Sequence, residues 1–483
     1  MTVDWKAADR WLMGEAMTNT RIGEYVNVLC DEVGPRWGGS PAERKAAEYI
    51  VSLRREHGLS GPRSEDFKVR TWECDAASIT VEREESWLID VRPSLFCPPA
   101  DVTGPLVDVG FGMPYELQPL KRRLRGAIAI MAAGLEPFTT PRPHTQRLED
   151  LAKLGALAVI SPHTEGGRRM AHGSATDWRD AARATRAPVP WMQTSREDGA
   201  RLARRAAAGK RATVKVQSRL PLATSLNTVA ELPGKLWPDE HIVLGSHHDT
   251  TPDSPGANDN ASGTSVNLET GRLLAALRDE LGISPGRTLR FVTFGSEEQV
   301  LQGSFAFVKR HYLGNPLSRR ERAGVRVRPA AQRTASEPKP RLMVNLDELA
   351  TGNMKGVALV FPELRPLVQR ELDSMREGLK CHVMAQMDAS GDMFPFAMAG
   401  IHSSMLWRWR FVGRHPDAGF GHASTDTPDK VRVRELKEYA GLLARLLLRL
   451  SHVPPADWPN GALDTAAIAR RIESERGAYL RTM

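Results

Sequence analysis

Apolar residues recur at helical spacing over residues 22–34, in Ile22, Tyr25, Val26, Val28 and Leu29. They do so again over 41–57, in Ala46, Ala47, Ile50, Val51 and Leu53, and the spacing predicts two helices near the start of the chain. The Gly34-Pro35 and Gly38-Gly39 turns separate them, and Ser40-Pro41 offers a capping hydroxyl followed by a proline at the first helical position. From about 101 to 221 the pattern shortens into β runs at 106–109, 127–131, 156–160 and 189–192. Between these runs lie a helical stretch at 147–154 and a loop rich in Gly, His and Arg at 166–173. That block predicts a self-contained α/β insertion. Beyond it, strand and helix alternate: strand 241–246, helix 262–281, strand 288–294, a helix from Ser304, strand 341–346.

The resulting expectation is an α/β protein with a mixed central β-sheet flanked by helices and a smaller inserted α/β domain. Residues 1–100 form the N-terminal part of the main domain, 101–221 the insertion, 222–455 the main part and 456–483 a helical tail. The segment 316–340, rich in Arg and Pro and without periodicity, reads as an exposed loop. At 483 residues with 41% apolar and 26% charged residues, the chain can bury a substantial core and has the composition of an ordinary globular protein. Charged residues at positions 4, 6, 9 and 10 break the apolar run that a secretory leader needs, and no later stretch spans a membrane, so a cytoplasmic, non-membrane protein is expected. Cys30, Cys74, Cys97 and Cys381 lie far apart, which predicts reduced thiols rather than a thiolate metal site. The net charge of +8 is concentrated in runs at 121–123, 204–205 and 319–328. These runs lack interleaved aromatics, so solvated helix faces are the expectation and a nucleic-acid partner is not.

The chemistry sits where each predicted strand of the main domain ends, the place at which open α/β sheets form ligand crevices. The first strand runs into His247-His248-Asp249, and the next loop reads Gly256-Ala257-Asn258-Asp259-Asn260-Ala261-Ser262-Gly263. The second strand ends in Glu297-Glu298, the third in Asn345-Leu346-Asp347, and a late loop holds His422-Ala423-Ser424-Thr425-Asp426-Thr427. Two imidazoles and three carboxylates make the mixed N/O donor set that Zn²⁺ accepts, with Glu297 left over as a base. Two-metal hydrolases hold their ions about 3.5–4 Å apart, so one carboxylate can bridge them. His248 neighbours a candidate ligand, but adjacent strand residues point to opposite faces, which makes it a bystander. His382, His402 and His415 have no partner motif, and Asp388 and Asp392 read as structural.

Five motifs in this order, HxD, GxxDNASG, the Glu pair followed by a Gly-Ser, NLD and HxxxDTxD, resemble the co-catalytic zinc metallopeptidases of family M-twenty-eight. That group includes bacterial leucyl aminopeptidases and glutamate carboxypeptidase. The resemblance implies a zinc-exopeptidase fold of the phosphorylase/hydrolase-like kind and two zinc ions, with other divalent metals such as cobalt or manganese as substitutes. It implies that His247 and Asp347 bind one ion, Glu298 and His422 the other, and that Asp259 bridges them. Glu297 matches the general base and Asp249 the carboxylate that orients the His247 ring. A non-proline cis peptide after Asp259 is implied as well. The insertion resembles a protease-associated domain, a module that restricts substrate access.

The implied function is hydrolysis of a peptide or amino-acid amide, with aminopeptidase action preferred and a homo-oligomer left open. A carboxypeptidase or amidohydrolase acting on N-acyl amino acids or dipeptides is the main rival, with Arg408 or Arg410 binding the free carboxylate. A structural strand with exposed arginines is the equal alternative for those two residues. More remote are a glutaminyl cyclase-like enzyme and a metal-free binding module. Two departures from the family pattern stand out: Met393 replaces a histidine of the SDH-like motif, and Gly421 stands where a tyrosine often precedes the last ligand.

Overall fold

The computed structural model describes residues 3–470, except 86, 135–141, 143, 175–185, 314–336, 351–354, 376–381, 386–390, 409–419, 462 and 468–469. Among the described residues, fifteen strands divide into two sheets. The larger contains β1 (Ser60–Arg70), β9 (Leu222–Leu232), β10 (Trp237–His247), β11 (Arg287–Phe294), β12 (Leu342–Leu346), β13 (Lys355–Leu359), β14 (His382–Ala385) and β15 (Ser403–Arg408). Its order is β1-β9-β11-β10-β12-β15-β13-β14, and β11, β10, β12 and β15 run parallel at its centre. Parallel strands need both faces covered, and the sequences of these strands comply. On β10, Ile242 and Leu244 face one core and Val243 the other; on β11, Leu289 and Phe291 oppose Val292 and Phe294. Helices Trp5–Thr18, Gly263–Leu281 and Val433–His452 cover the first face, and Gln302–His311 and Met393–Met398 cover the second.

The predicted helix near residue 41 begins as its sequence dictates. Ser40 accepts a hydrogen bond from the Glu43 N–H at 3.2 Å, and Pro41 occupies the first helical position.

The second sheet contains β2 (Glu73–Val81), β3 (Val91–Pro93), β4 (Ala100–Asp108), β5 (Ile128–Ile130), β6 (Ala158–Pro162), β7 (Trp191–Thr194) and β8 (Arg211–Arg219), in the order β2-β8-β4-β5-β6-β7-β3. Ile128 and Ile130 point to one side of it, and Ala127, Ala129 and Met131 to the other. The expected boundary at residue 101 is therefore too late: β2 and β3 belong to this sheet. Both are edge strands, and β2 fully buries only Ile79 and Val81, which blurs the alternation that marks a strand in sequence.

Two of the basic runs end helices. Lys121, Arg122 and Arg123 close Pro114–Leu124, and Arg204 and Arg205 close Arg196–Ala207, where cations complement the helix dipole. Cys30, Cys74 and Cys97 are free thiols, and Cys381 lies outside the described residues, as do most of the 316–340 segment and the tail beyond 470. No helix among the described residues is long and apolar enough to cross a membrane.

Candidate metal centre

The carboxyl ends of β10, β11 and β12 deliver His247, the Glu297-Glu298 pair and Asp347 to one crevice. Two loops complete it. The segment 256–262 carries Asp259 and enters the helix Gly263–Leu281, while the turn at 421–423 carries His422. His247 Nε2 lies 3.2 Å from Asp259 Oδ1 and 3.3 Å from Asp347 Oδ1. His422 Nε2 lies 3.3 Å from the other oxygen, Asp259 Oδ2, and 3.0 Å from Glu298 Oε2. The five residues thus form two donor triads that share Asp259 through its separate oxygens.

Ligands about 2.0–2.1 Å from a tetrahedral zinc stand about 3.3 Å from one another. The 3.0–3.3 Å separations here match that spacing. The Oε1 atom of Glu298 is buried without any protein partner, an arrangement costly for a carboxylate unless a cation answers it. The donor set therefore fits a pair of divalent ions.

The electrostatics agree. Burial opposes protonation of His247, but Glu297, Asp347, Asp249 and Asp259 outweigh it and hold the imidazole's pKa well above the ordinary histidine value. His422 rises likewise, through Glu298 and Asp259 against the cost of burial. For Asp259, burial pushes the pKa up, but hydrogen bonds from both imidazoles prevail and lower it. Burial lifts Glu298 to about 7. Without metal, the crevice draws protons onto its imidazoles, which is how a site built to hold positive charge behaves.

The loop bearing Asp259 is fixed from several sides. Gly256 has φ 61°, and a Cβ there would lie 2.4 Å from the Asp259 carbonyl oxygen and 2.2 Å from Thr250, so only glycine suits the turn. The Asp259-Asn260 peptide is cis, as the resemblance implied. Asp426 accepts from the backbone N–H groups of Asn258 at 2.9 Å and Asp259 at 3.0 Å. The Asn260 amide donates to the Leu346 carbonyl at 2.8 Å, tying this loop to the one that carries Asp347. Asp249 accepts from the N–H of Glu297 at 3.0 Å and of Glu298 at 3.3 Å, and its main-chain oxygen receives His247 Nδ1–H at 3.2 Å. The Asp249 carboxylate itself is 3.5 Å from that nitrogen, so main chain and side chain both face the ring.

Glu297, 4% exposed, stands beside the triads and belongs to neither. Burial raises its pKa well above the usual carboxylate value; His247 counters this, while Asp392, Glu298 and Asp347 reinforce it. Such a carboxylate accepts a proton readily.

His248 is buried, with its ring nitrogens unpaired and its pKa lowered by burial to about 3, and stands in neither triad. His402 packs edge-on to Phe361, and Asp392 is fully buried at the start of Met393–Met398. Met393 joins the apolar cluster on the second face of the sheet, where a charged ring would be costly. The Arg408 backbone ends β15, the side chains of Arg408 and His382 are not described, and Arg410, Asp388 and His415 lie outside the described residues.

Two contributors were given no role in the reading of the sequence. Asp426 lay within the last motif, whose spacing could have singled it out. Glu348 follows Asp347 and accepts from the Asn258 amide at 3.1 Å, and a Cβ at Gly421 would come within 3.3 Å of its Oε1 and 3.4 Å of Asp259 Oδ2. Glu348 and His422 both hold left-handed backbone conformations, with φ of 48° and 62°.

The profile of peptidase family M28 matches residues 227–447, the stretch that contains all five residues of the two triads. This stretch is similar to peptidase family M28. Among similar proteins, human carboxypeptidase Q is 27% identical over 309 residues, covering 60% of this chain and 61% of that protein. Aminopeptidase YwaD of Bacillus subtilis is 27% identical over 300 residues, covering 61% and 58% respectively. The chain thus spans about three fifths of the length of these curated relatives. A solved zinc aminopeptidase from Bacillus subtilis superposes with a TM-score of 0.67 at 22% identity over 89% of this chain and 94% of its own, which establishes a shared fold.

Proposed function

We propose that the chain is a zinc-dependent metallopeptidase, an exopeptidase that removes residues from the free amino end of a peptide. The observation that carries this reading is the division of Asp259: one oxygen faces the His247 triad and the other the His422 triad. In this reading His247 and Asp347 hold one ion, Glu298 and His422 the second, and Asp259 both. A pair of zinc ions supplies Lewis-acid polarisation of the scissile carbonyl and eases deprotonation of water.

The remaining work falls to the protein. Glu297 takes the proton from the attacking water, helped by the burial that raises its affinity for protons, and returns it to the departing amine. Asp249 keeps that carboxylate in place by accepting from the Glu297 N–H, and the same residue steadies His247. The carboxylate of Glu348, beside the shared ligand, gives this rim of the crevice a negative charge that suits a substrate ammonium group and so supports the aminopeptidase reading.

Replacement of Glu297 by Gln tests the assignment. The variant should bind the same two ions per chain, yet lose about 10²–10⁴-fold in kcat. Wild-type turnover in Glu297→Gln would remove Glu297 from its role.

The name of carboxypeptidase Q, borne by a relative as similar as the aminopeptidase, supports a second reading. There Arg408 or Arg410 binds the terminal carboxylate of an N-acyl or dipeptide substrate. Turnover of an amino-acid anilide but not of an N-blocked dipeptide favours the first reading, and the reverse favours the second.

A further inference from the structure

The ligand His422 is held by a residue of the other sheet's domain. Its Nδ1 faces the main-chain oxygen of His172 at 3.2 Å, and its own carbonyl accepts the His172 N–H at 3.0 Å. A hydrogen on Nδ1 leaves Nε2 free to meet a metal, so the His172 carbonyl selects the tautomer that the site needs. His422 has φ 62°, a conformation that a side-chain-bearing residue keeps only when its surroundings enforce it, and these two bonds are part of that enforcement.

The loop that carries His172 is itself anchored. The His172 ring is 5% exposed, and its Nδ1 donates to the Pro93 carbonyl of β3 at 2.9 Å. Its Nε2 lies 3.6 Å from Asp253, which also pairs with Arg92 of β3 at 3.4 Å. Leu95 N–H donates to the Gly173 carbonyl at 2.8 Å, and a Cβ on Gly173 would fall 2.2 Å from the Trp191 ring, so the loop lies flush against β7. Arg169 from the same loop stacks on Phe420 at 4.3 Å, two residues before His422.

We infer that His172 is a positioning residue for the metal centre. The domain built on the second sheet completes one of the two metal sites, the one formed by Asp259, Glu298 and His422, and leaves the other to the main domain. This rests on the two-ion reading above and adds to it a division of labour. A ligand orienter supplied by the second domain makes retention of one ion sensitive to how that domain sits.

Metal binding by the full chain tests it. Zinc stoichiometry and affinity are measured by competition with a chromogenic chelator for wild type, His172→Ala, His172→Asn and His422→Ala. Thermal unfolding of each apo protein checks that it is folded. The expected result is two ions in wild type and, in His172→Ala, one ion weakened by about 10–100-fold with the other unchanged. His172→Asn, whose amide can donate to Pro93, recovers most of that loss. Adding His172→Ala to His422→Ala should cause no further loss, because both act on the same ion.

Should His172→Ala fail to fold, the surface variant Arg169→Ala/Asp253→Asn replaces it, with the same ion expected to weaken. Wild-type affinity for both ions in a folded His172→Ala, or in that replacement, overturns the inference while leaving the two-ion reading intact. Equal weakening of both ions also overturns it. Fewer than two ions in wild type overturns the two-ion reading, and the inference with it.

Discussion

The two imidazoles of the centre occupy equivalent places in the two triads but rest on different supports. His247 ends a central strand, and its Nδ1 is met by Asp249 two residues along, inside one continuous core. His422 sits on a turn, and its Nδ1 is met by His172, 250 residues away in sequence and on a loop of the domain built on the second sheet. The exposure of the two side chains follows suit, 1% for His247 and 24% for His422. A ligand supported by its own strand is as rigid as the sheet, whereas one supported across a domain contact is as rigid as that contact. Equal ligand chemistry therefore need not give equal retention of the two ions.

Substitutions can break or sharpen this contrast. The largest effect should come from Asp259→Ala, which removes the shared ligand. Both ions should weaken by more than the roughly 10–100-fold that loss of an orienting partner costs, and the contrast should vanish with them, as chelator competition would show. Next is Asp249→Asn, which should weaken the ion at His247 and Asp347 by about 10–100-fold while the ion at Glu298 and His422 keeps the greater part of its affinity. Since Asp249 also accepts from Glu297 N–H, kcat should fall beyond what restored zinc recovers.

Gly421→Ala should act more gently and on both sides. Its Cβ would press on Glu348 and Asp259 at 3.3 and 3.4 Å, and a strain of about 1 kcal/mol corresponds to about fivefold in affinity, felt equally by the two ions.

The smallest effect on the centre, none, is expected from His311→Gln, which alters stability instead. His311 bridges Glu65 at 2.8 Å and Glu337 at 2.7 Å. Burial lowers its pKa, but the two carboxylates outweigh burial and raise it above 6.5. Burial likewise opposes ionisation of Glu65 and Glu337, yet their partners hold both at about 2. The histidine's contribution is complete below pH 6.5 and fades as pH rises through its folded value. That of the glutamates is complete above 4.5 and fades as pH falls toward 2. Wild type should therefore exceed His311→Gln in Tm most between pH 4.5 and 6.5, and the gap should narrow toward pH 8. A gap that widens toward pH 8 would contradict the assignment.

The convergence of the five triad residues was legible in the sequence because the fold places donor residues at strand ends, where an apolar run stops. His247, Glu298 and Asp347 each carry that local signature, and Asp259 and His422 lie in motifs with distinctive spacing. The central parallel strands were legible for a related reason, since burial on both faces leaves short apolar runs such as Ile242-Val243-Leu244 and Phe291-Val292. The orienting role of His172 had no such signature. Its segment reads only as a loop of Gly, His and Arg, and its function arises from a contact made by backbone atoms, to which sequence is nearly silent. Asp426 and Glu348 were hidden differently: each lies beside or within a legible motif, but which main-chain groups it reaches depends on loop geometry. The early start of the second sheet was obscured because β2 is an exposed edge.

The chain leaves the large sheet at Arg70 and re-enters it at Leu222, which are register partners on β1 and β9, and Thr71 N–H bonds to the Pro221 carbonyl at 3.1 Å. The intervening 72–220 stretch is thus a cassette plugged in through adjacent pins. A short linker could close the gap without disturbing a strand. Such an excised protein would keep its hydrophobic framework and the His247 half of the crevice, yet part with the prop behind His422, so a graft that is neutral for folding need not be neutral for chemistry.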